Sequence, residues 1–251
     1  MLTAAMPMTS RFHRTFAQLG CFNATLYLLG RVLESLTGGR WRLYRYLFVA
    51  QHLPAAPLCT NRGRDIEVRL LPTLATLPSD YPRPAGVLRQ RYAQGAQSLA
   101  AFRGAALIGF LWFLFDAYQE DEVRARYQLG SSRSAWDFDV WVKPEERLGW
   151  AFRRLWESAR VLLRERAVHW SCSRISAFNP GSLSAHARIG TVQLGSAIFL
   201  CCGGWQWMLA SQTPYFHLSR HPASYPRLLF DTSTLADIDT KEPPCISKKS
   251  A

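Results

Sequence analysis

Residues 134–191 read SAWDFDVWVKPEERLGWAFRRLWESARVLLRERAVHWSCSRISAFNPGSLSAHARIGT, and this stretch decides the fold. Trp136 to Val142 mixes aromatic, β-branched and alternating polar residues, which predicts a strand, and Lys143-Pro144 ends it. From Arg147 the apolar residues Leu148, Ala151, Leu155, Ala159, Leu162 and Leu163 recur at threes and fours. Arg153, Arg154, Glu157, Arg160 and Arg164 fall off that face, so the spacing predicts a long helix with Gly149 in its first turn. Val168 to Ala177 reads as a second strand. Asn179 then caps a shorter helix that ends at Gly190.

A strand that runs into a helix through a short turn gathers unpaired backbone N–H groups at the positive end of the helix dipole. Such a junction binds anions, phosphates above all. A glycine there lets a ligand approach the backbone.

The order of strand, glycine turn, helix, strand, Asn-x-x-Ser and helix resembles the GNAT superfamily of acyl-CoA-dependent N-acetyltransferases. Glu146-Arg147-Leu148-Gly149-Trp150-Ala151 stands where that superfamily carries Q/R-x-x-G-x-G/A, and Asn179, Ser182, His186 and Gly190 fall on its N-x-x-S/A-x-x-x-Y-x-x-x-G pattern. The resemblance implies an α+β fold with a mixed, mostly antiparallel sheet flanked by helices. It also implies transfer of an acyl group, acetyl in the first instance, from acyl-CoA to a primary amine by direct attack in a ternary complex. Acyl-CoA would lie along Val140, Trp141 and Val142, with its pyrophosphate on Arg147, Leu148, Gly149, Trp150 and Ala151 and further contacts from Asn179 and Ser182. Asp137 and Asp139, two apart on the strand, are candidates for the base or for a group that positions water; the same residues also fit a salt-bridged strand face. His186 is the candidate acid beside the departing sulfur, provided its imidazole is charged. A non-catalytic descendant of the same fold is the chief rival reading, and a third is a membrane-surface or nucleic-acid-associated protein that acts through its basic N-terminal segment.

The 251 residues suit one domain with extensions: an N-terminal helix and basic, aromatic segment over 1–60, the GNAT-like domain over 61–212 and a C-terminal extension over 213–251. Lys and Arg number 30 against 18 Asp and Glu, a net charge of +12 that favours anionic partners. The six cysteines show neither C-x-x-C pairs nor zinc-site spacing, so no metal is expected, and reduced thiols suit the cytoplasm. No secretory signal is read at the N-terminus.

Phe12, Phe16, Leu19, Phe22, Leu26, Leu29, Leu33 and Leu36 recur at fours and threes, which predicts an amphipathic helix capped by Ser10 and ended at Gly38-Gly39. Docking on the folded domain is its expected role; peripheral contact with the inner face of a membrane is the alternative. Arg40 to Tyr46 interleaves arginines with aromatics and is read as a strand or a cover over apolar surface, with contact to nucleic acid or a lipid interface the less favoured alternative. Pro54 to Gly63 reads as a linker. Strands are expected at Ile66 to Leu71, Gln97 to Phe102 and Ala105 to Tyr118, the last covered on both faces, and a helix at Ala85 to Ala93. Val192 to Cys201 and Trp205 to Leu209 form a hairpin. Glu120-Asp121-Glu122 is read as a solvated turn, and Thr232 to Ala251 as a loose tail.

Overall fold

The computed structural model describes residues 8–235. In chain order its elements are α1 (Met8–Leu36), β1 (Trp41–His52), β2 (Ile66–Leu71), α2 (Ala85–Ala93), β3 (Gln97–Arg103), β4 (Ala106–Leu114), β5 (Tyr118–Gln119), β6 (Arg126–Leu129), β7 (Ser134–Val142), α3 (Ala151–Arg164), β8 (Trp170–Ser176), α4 (Pro180–Ala187), β9 (Thr191–Cys202), β10 (Trp205–Ala210), β11 (Phe216–Ser219) and β12 (Arg227–Phe230). The fold is α+β with mostly antiparallel pairing. The chain divides into two compact units, each discontinuous in sequence.

The first unit takes the residues up to Gln51, Tyr118–Gln128 and Ser173–Phe230. Strands β1, β9, β10 and β11 lie side by side and pair antiparallel. Alternate residues point to opposite faces. On one face Tyr46 and Phe48 meet Phe199, Tyr127 and Phe230, with the last three ring contacts at 5.8, 5.8 and 5.0 Å. That face is covered by the small sheet of β12, β6 and β5, which Gln206 anchors by accepting from the Arg124 N–H and donating to the Arg124 carbonyl, both at 2.7 Å. On the other face lies α1. Ala24 is wholly buried, the Asn23 side chain accepts from Arg45, and a Cβ on Gly30 would sit 3.3 Å from Leu43 Cβ.

Two expectations change here, and the strand reading of the basic, aromatic segment is met. The N-terminal helix begins before Ser10, so Ser10 is not its cap, and Gly20 breaks it with φ 73°. The basic, aromatic segment opens a twelve-residue strand whose apolar residues Leu47 to Ala50 carry the pairing with β9 on to Gln51. The chain past Tyr215 is structured as far as it is described: β11 extends the sheet, Leu228 and Phe230 are buried in β12, and buried Thr232 shares a 2.6 Å hydroxyl contact with Ser134. The rest of the expected tail, from residue 236, lies outside the described residues.

The second unit takes His52–Ala117, Leu129–Cys172 and the residues from Asp231. Strands β2, β3, β4 and β7 pair antiparallel in that order. β4 is buried from Leu107 to Leu114, as its unbroken apolar run predicts. Only Ser134 to Trp136 of β7 pair with β8, in parallel register with Trp170 to Cys172. α3 buries Ala151, Leu155, Trp156, Ala159, Arg160 and Leu163. It can approach because Gly109 on β4 has no side chain: a Cβ there would meet the Trp141 carbonyl at 2.9 Å and Leu155 Cδ1 at 3.2 Å. The segment read as a linker is strapped to α3. Leu58 N–H donates to Glu157, Arg160 to the carbonyls of Pro54 and Ala55, and Arg164 to that of Leu53.

Candidate functional site

In the second unit the site residues sit where β7 turns into α3. β7 pairs Trp112 with Phe138 and Phe110 with Trp141, so two residues, Asp139 and Val140, stand opposite Leu111 alone. This is a β-bulge, and Asp139 occupies its left-handed position with φ 48°. A bulge leaves backbone groups outside the ladder and re-aims side chains. The strict alternation that would put Asp137 and Asp139 on one face is therefore lost.

Their surroundings differ accordingly. Asp137 is buried and accepts a 2.6 Å hydrogen bond from the Ser171 hydroxyl. Asp139 accepts from Arg83 on both oxygens and from Arg91 on one. Burial pushes the Asp139 carboxyl up, but the Arg83 hydrogen bonds and the Arg91 charge outweigh it and hold the group below the usual carboxylate range. Aromatic rings wall the ion pair: Arg83 lies 5.0 Å over Phe110, and Arg91 lies 5.4 Å over Trp112 and 5.1 Å over Phe138. A carboxylate held ionised so firmly is a weak proton acceptor, which weighs against Asp139 as a base and fits the salt-bridged strand face.

The turn itself differs from expectation. α3 begins at Ala151, so Gly149 precedes it, and Leu148 lies in the turn, fully exposed, instead of on the buried helix face. Gly149 donates its N–H to the Glu146 carbonyl at 3.0 Å. A Cβ on Gly149 would sit 3.2 Å from that carbonyl oxygen, so the glycine serves the tightness of the turn. Arg147 folds back to donate to the Val142 carbonyl at 3.2 Å. Trp150, the N-cap residue, offers no side-chain cap, and the first N–H groups of a helix have no partner within it.

Cations collect around this end. Arg62 and Arg153 lie 5.8 and 5.4 Å over the Trp150 ring. The Arg62 loop reaches the helix because Gly63, at φ 63°, has no Cβ to strike Trp150 Cβ, which would be 2.8 Å away. Exposed Lys143 and Arg147 add charge and exposed Glu145 subtracts one, while Arg103 divides its cation between Asp65 and Glu146. Val140 and Trp141 are half-buried, and Val142 and Ala151 buried.

The other candidates belong to the first unit. Asn179 Oδ1 accepts from the Ser182 N–H at 3.0 Å and so caps α4 as the motif predicts. His186 is buried, and desolvation pushes its imidazole down to about 4. That shift favours the neutral form near pH 7, which weighs against His186 as a charged acid.

A cluster that the sequence did not reveal lies in the same unit. Glu120, read as part of a solvated turn, is buried and accepts two 2.8 Å hydrogen bonds from Arg174. Arg174 also pairs with Glu122 at 2.8 Å, and the Tyr46 hydroxyl donates to Glu122 at 2.7 Å. Burial pushes the Glu120 carboxyl up despite Arg174.

No protein-family model and no curated protein sequence matches the chain. Among solved structures it is similar to a conserved protein of unknown function from Staphylococcus epidermidis (12% identity, TM-score 0.46, 67% of this chain and 65% of that one). It is similar to a GCN5-related N-acetyltransferase from Kribbella flavida (10%, 0.42, 68% and 63%) and to a tandem GNAT protein of the clavulanic acid biosynthesis pathway (17%, 0.40, 63% and 53%). Its structural neighbours thus include GNAT-family acetyltransferases. The chain spans less than two thirds of the length of each of these three.

Proposed function

We propose that the chain is an acyl-CoA-dependent N-acyltransferase, with acetyl as the group transferred and a primary amine as acceptor. The observation that supports this is the uncapped start of α3, ringed by Arg62, Arg153, Arg147 and Lys143 directly after the bulged strand β7. Helix N–H groups and surrounding guanidinium groups suit a pyrophosphate. Bound acyl-CoA would supply an activated thioester. On this reading Val140 to Val142 present backbone groups for it to pair with, and the bulge turns an N–H outward where carbonyl charge develops.

Asp139, fixed by two arginines, positions and does not take the proton, and a neutral His186 does not donate as an imidazolium. The chain then works through proximity and backbone polarisation, with buried Asp137 the carboxylate left to test as a base.

One observation favours the second reading, a GNAT-like fold that does not bind CoA. The carboxylate of Glu146 lies 3.7 Å from the Cβ position of Gly149, inside the phosphate turn. Arg103 offsets that charge, so we rank binding first. Calorimetric titration of the full chain with acetyl-CoA separates the two. Saturable binding is expected, with Gly149→Glu abolishing it while the far-UV spectrum is unchanged. No binding by the wild type selects the non-catalytic reading, and binding unchanged in Gly149→Glu moves the site away from α3.

A further inference from the structure

α1 and the four-stranded sheet of the first unit each expose an apolar surface on the same side. Leu43 and Arg45 of β1 point at α1: the first faces Gly30, and the second pairs with Asn23 and lies 4.4 Å over the Phe22 ring. Directly paired residues share a face. Leu43 is in register with Leu200, Trp207 and Leu218, and Arg45 with Ile198, Leu209 and Phe216. α1 therefore covers the β1 end of this face and leaves the β10 and β11 end open, where Leu209 is 59% and Phe216 56% exposed.

The helix has the converse surplus. It docks through Asn23, Ala24, Tyr27 and Gly30, and the stripe Phe22, Leu26, Leu29, Leu33, Leu36, spaced four-three-four-three, runs along its flank, with Leu26 and Leu33 half-buried and Phe22 reached by Arg45. Phe22 is 59% and Leu36 79% exposed, with Leu29 and Val32 exposed between them. This is the spacing of a seam that packs on another helix. Two heptads are too few for a free-standing coiled coil, so the uncovered sheet must contribute.

We propose that this surface binds a second copy of the same chain. A two-fold axis sets the two seams together and lays each helix towards the open sheet of the other, so that each copy supplies the cover its partner lacks. Phe22, Leu29, Val32, Leu36, Leu209, Phe216 and Leu218 are between 43% and 79% exposed, which at roughly 150–200 Å² per side chain leaves on the order of 700 Å² of apolar surface per copy. A standard interface takes about 800 Å² per partner, whereas the largest apolar patch of a typical monomer is about 300–600 Å². A lipid surface fits less well. Between Cys21 and Leu36 the charged residues are Arg31 and Glu34, which pair with each other at 3.3 Å, and the nearby Arg45 is turned to Asn23 and the Phe22 ring, so this stretch lacks the row of free cations that marks an interfacial helix. No helix among the described residues is long and apolar enough to cross a membrane.

The test is the solution mass of the full chain, by sedimentation equilibrium at micromolar concentration. Twice 28.5 kDa is expected. Leu36→Arg and Leu209→Arg, both at exposed positions, should each weaken the dimer by about a hundredfold or more with the far-UV spectrum unchanged. Val161→Arg, on the exposed face of α3, should leave it intact. A wild-type monomer overturns the proposal, and if that monomer sediments with phosphatidylserine vesicles the occupant is lipid. A dimer that survives Leu36→Arg or Leu209→Arg also overturns it.

Discussion

Two carboxylate–arginine clusters, one in each unit, use the same groups to opposite effect. Asp139 shares its two oxygens between Arg83 and Arg91 and is held below its ordinary range. Glu120 is more deeply buried, and its one arginine, Arg174, is divided between it and Glu122; its carboxyl is pushed up. The count of guanidinium groups per carboxylate and the depth of burial decide the direction. The linkage signs follow. Asp139 contributes stability that is present above the unfolded carboxyl range and lost as pH falls through its lowered value. Glu120 works the other way: its contribution is fullest at acid pH and declines as pH rises through its raised value.

The largest effect expected is at Arg174. Arg174→Met would strand Glu120 in the interior without its cation, and breaking a buried pair on one side costs about 3–5 kcal/mol. Chemical denaturation measures it. Adding Glu120→Gln should recover much of the loss, since the amide oxygen can still accept from the N–H groups of Asp121 and Glu122. A loss below about 1 kcal/mol in the single variant would mean that the shared arginine does not hold this unit together.

His186 sharpens the comparison, because burial is the cause of its shift. The depressed imidazole gives stability that is complete above the unfolded value near 6.5 and lost as pH falls from there towards about 4. At about 1.4 kcal/mol per pH unit this is on the order of 3 kcal/mol. Denaturation midpoints taken across that window should therefore slope in the wild type and flatten in His186→Phe. Equal slopes would place the acid sensitivity elsewhere.

What the sequence reveals and what it hides divide along the same line. Local order was legible: β2 and α2 occupy the residues their patterns predict, Asn179 caps α4, and Gly190, at φ 82°, follows it. The junction of β7 and α3 was legible as a type, since strand, proline turn and helix periodicity are all short-range. The bulge was not, because Phe138-Asp139-Val140 alternates like any strand and only the register with β4 shows the extra residue. Nor were the clusters: Glu120 meets Arg174 across 54 positions and Asp139 meets Arg83 across 56, and periodicity carries no information at that range. β12 was missed because four residues among prolines and serines become a strand only through what Leu228 and Phe230 pack against.

The smallest effects expected are within the Asp139 cluster, and they test whether two arginines make it redundant. Arg91 is buried and contacts Trp112 and Phe138 as well as Asp139, whereas Arg83 is one quarter exposed. Arg91→Met keeps apolar bulk against the rings and leaves Asp139 with Arg83, so the cost should be about 1–2 kcal/mol, well short of that at Arg174. Arg83→Lys keeps the charge but loses the two-pronged contact with Oδ1 and Oδ2, for about 1 kcal/mol or less. Because one cation remains in each case, Asp139 should stay ionised, and the acid limb of a stability profile should move up by less than in the double variant. If Arg91→Met costs as much as Arg174→Met, partner number does not set the difference between the units. The depth of burial around the bulge would then be the governing quantity, and β7 would depend on Arg91 as β8 does on Glu120.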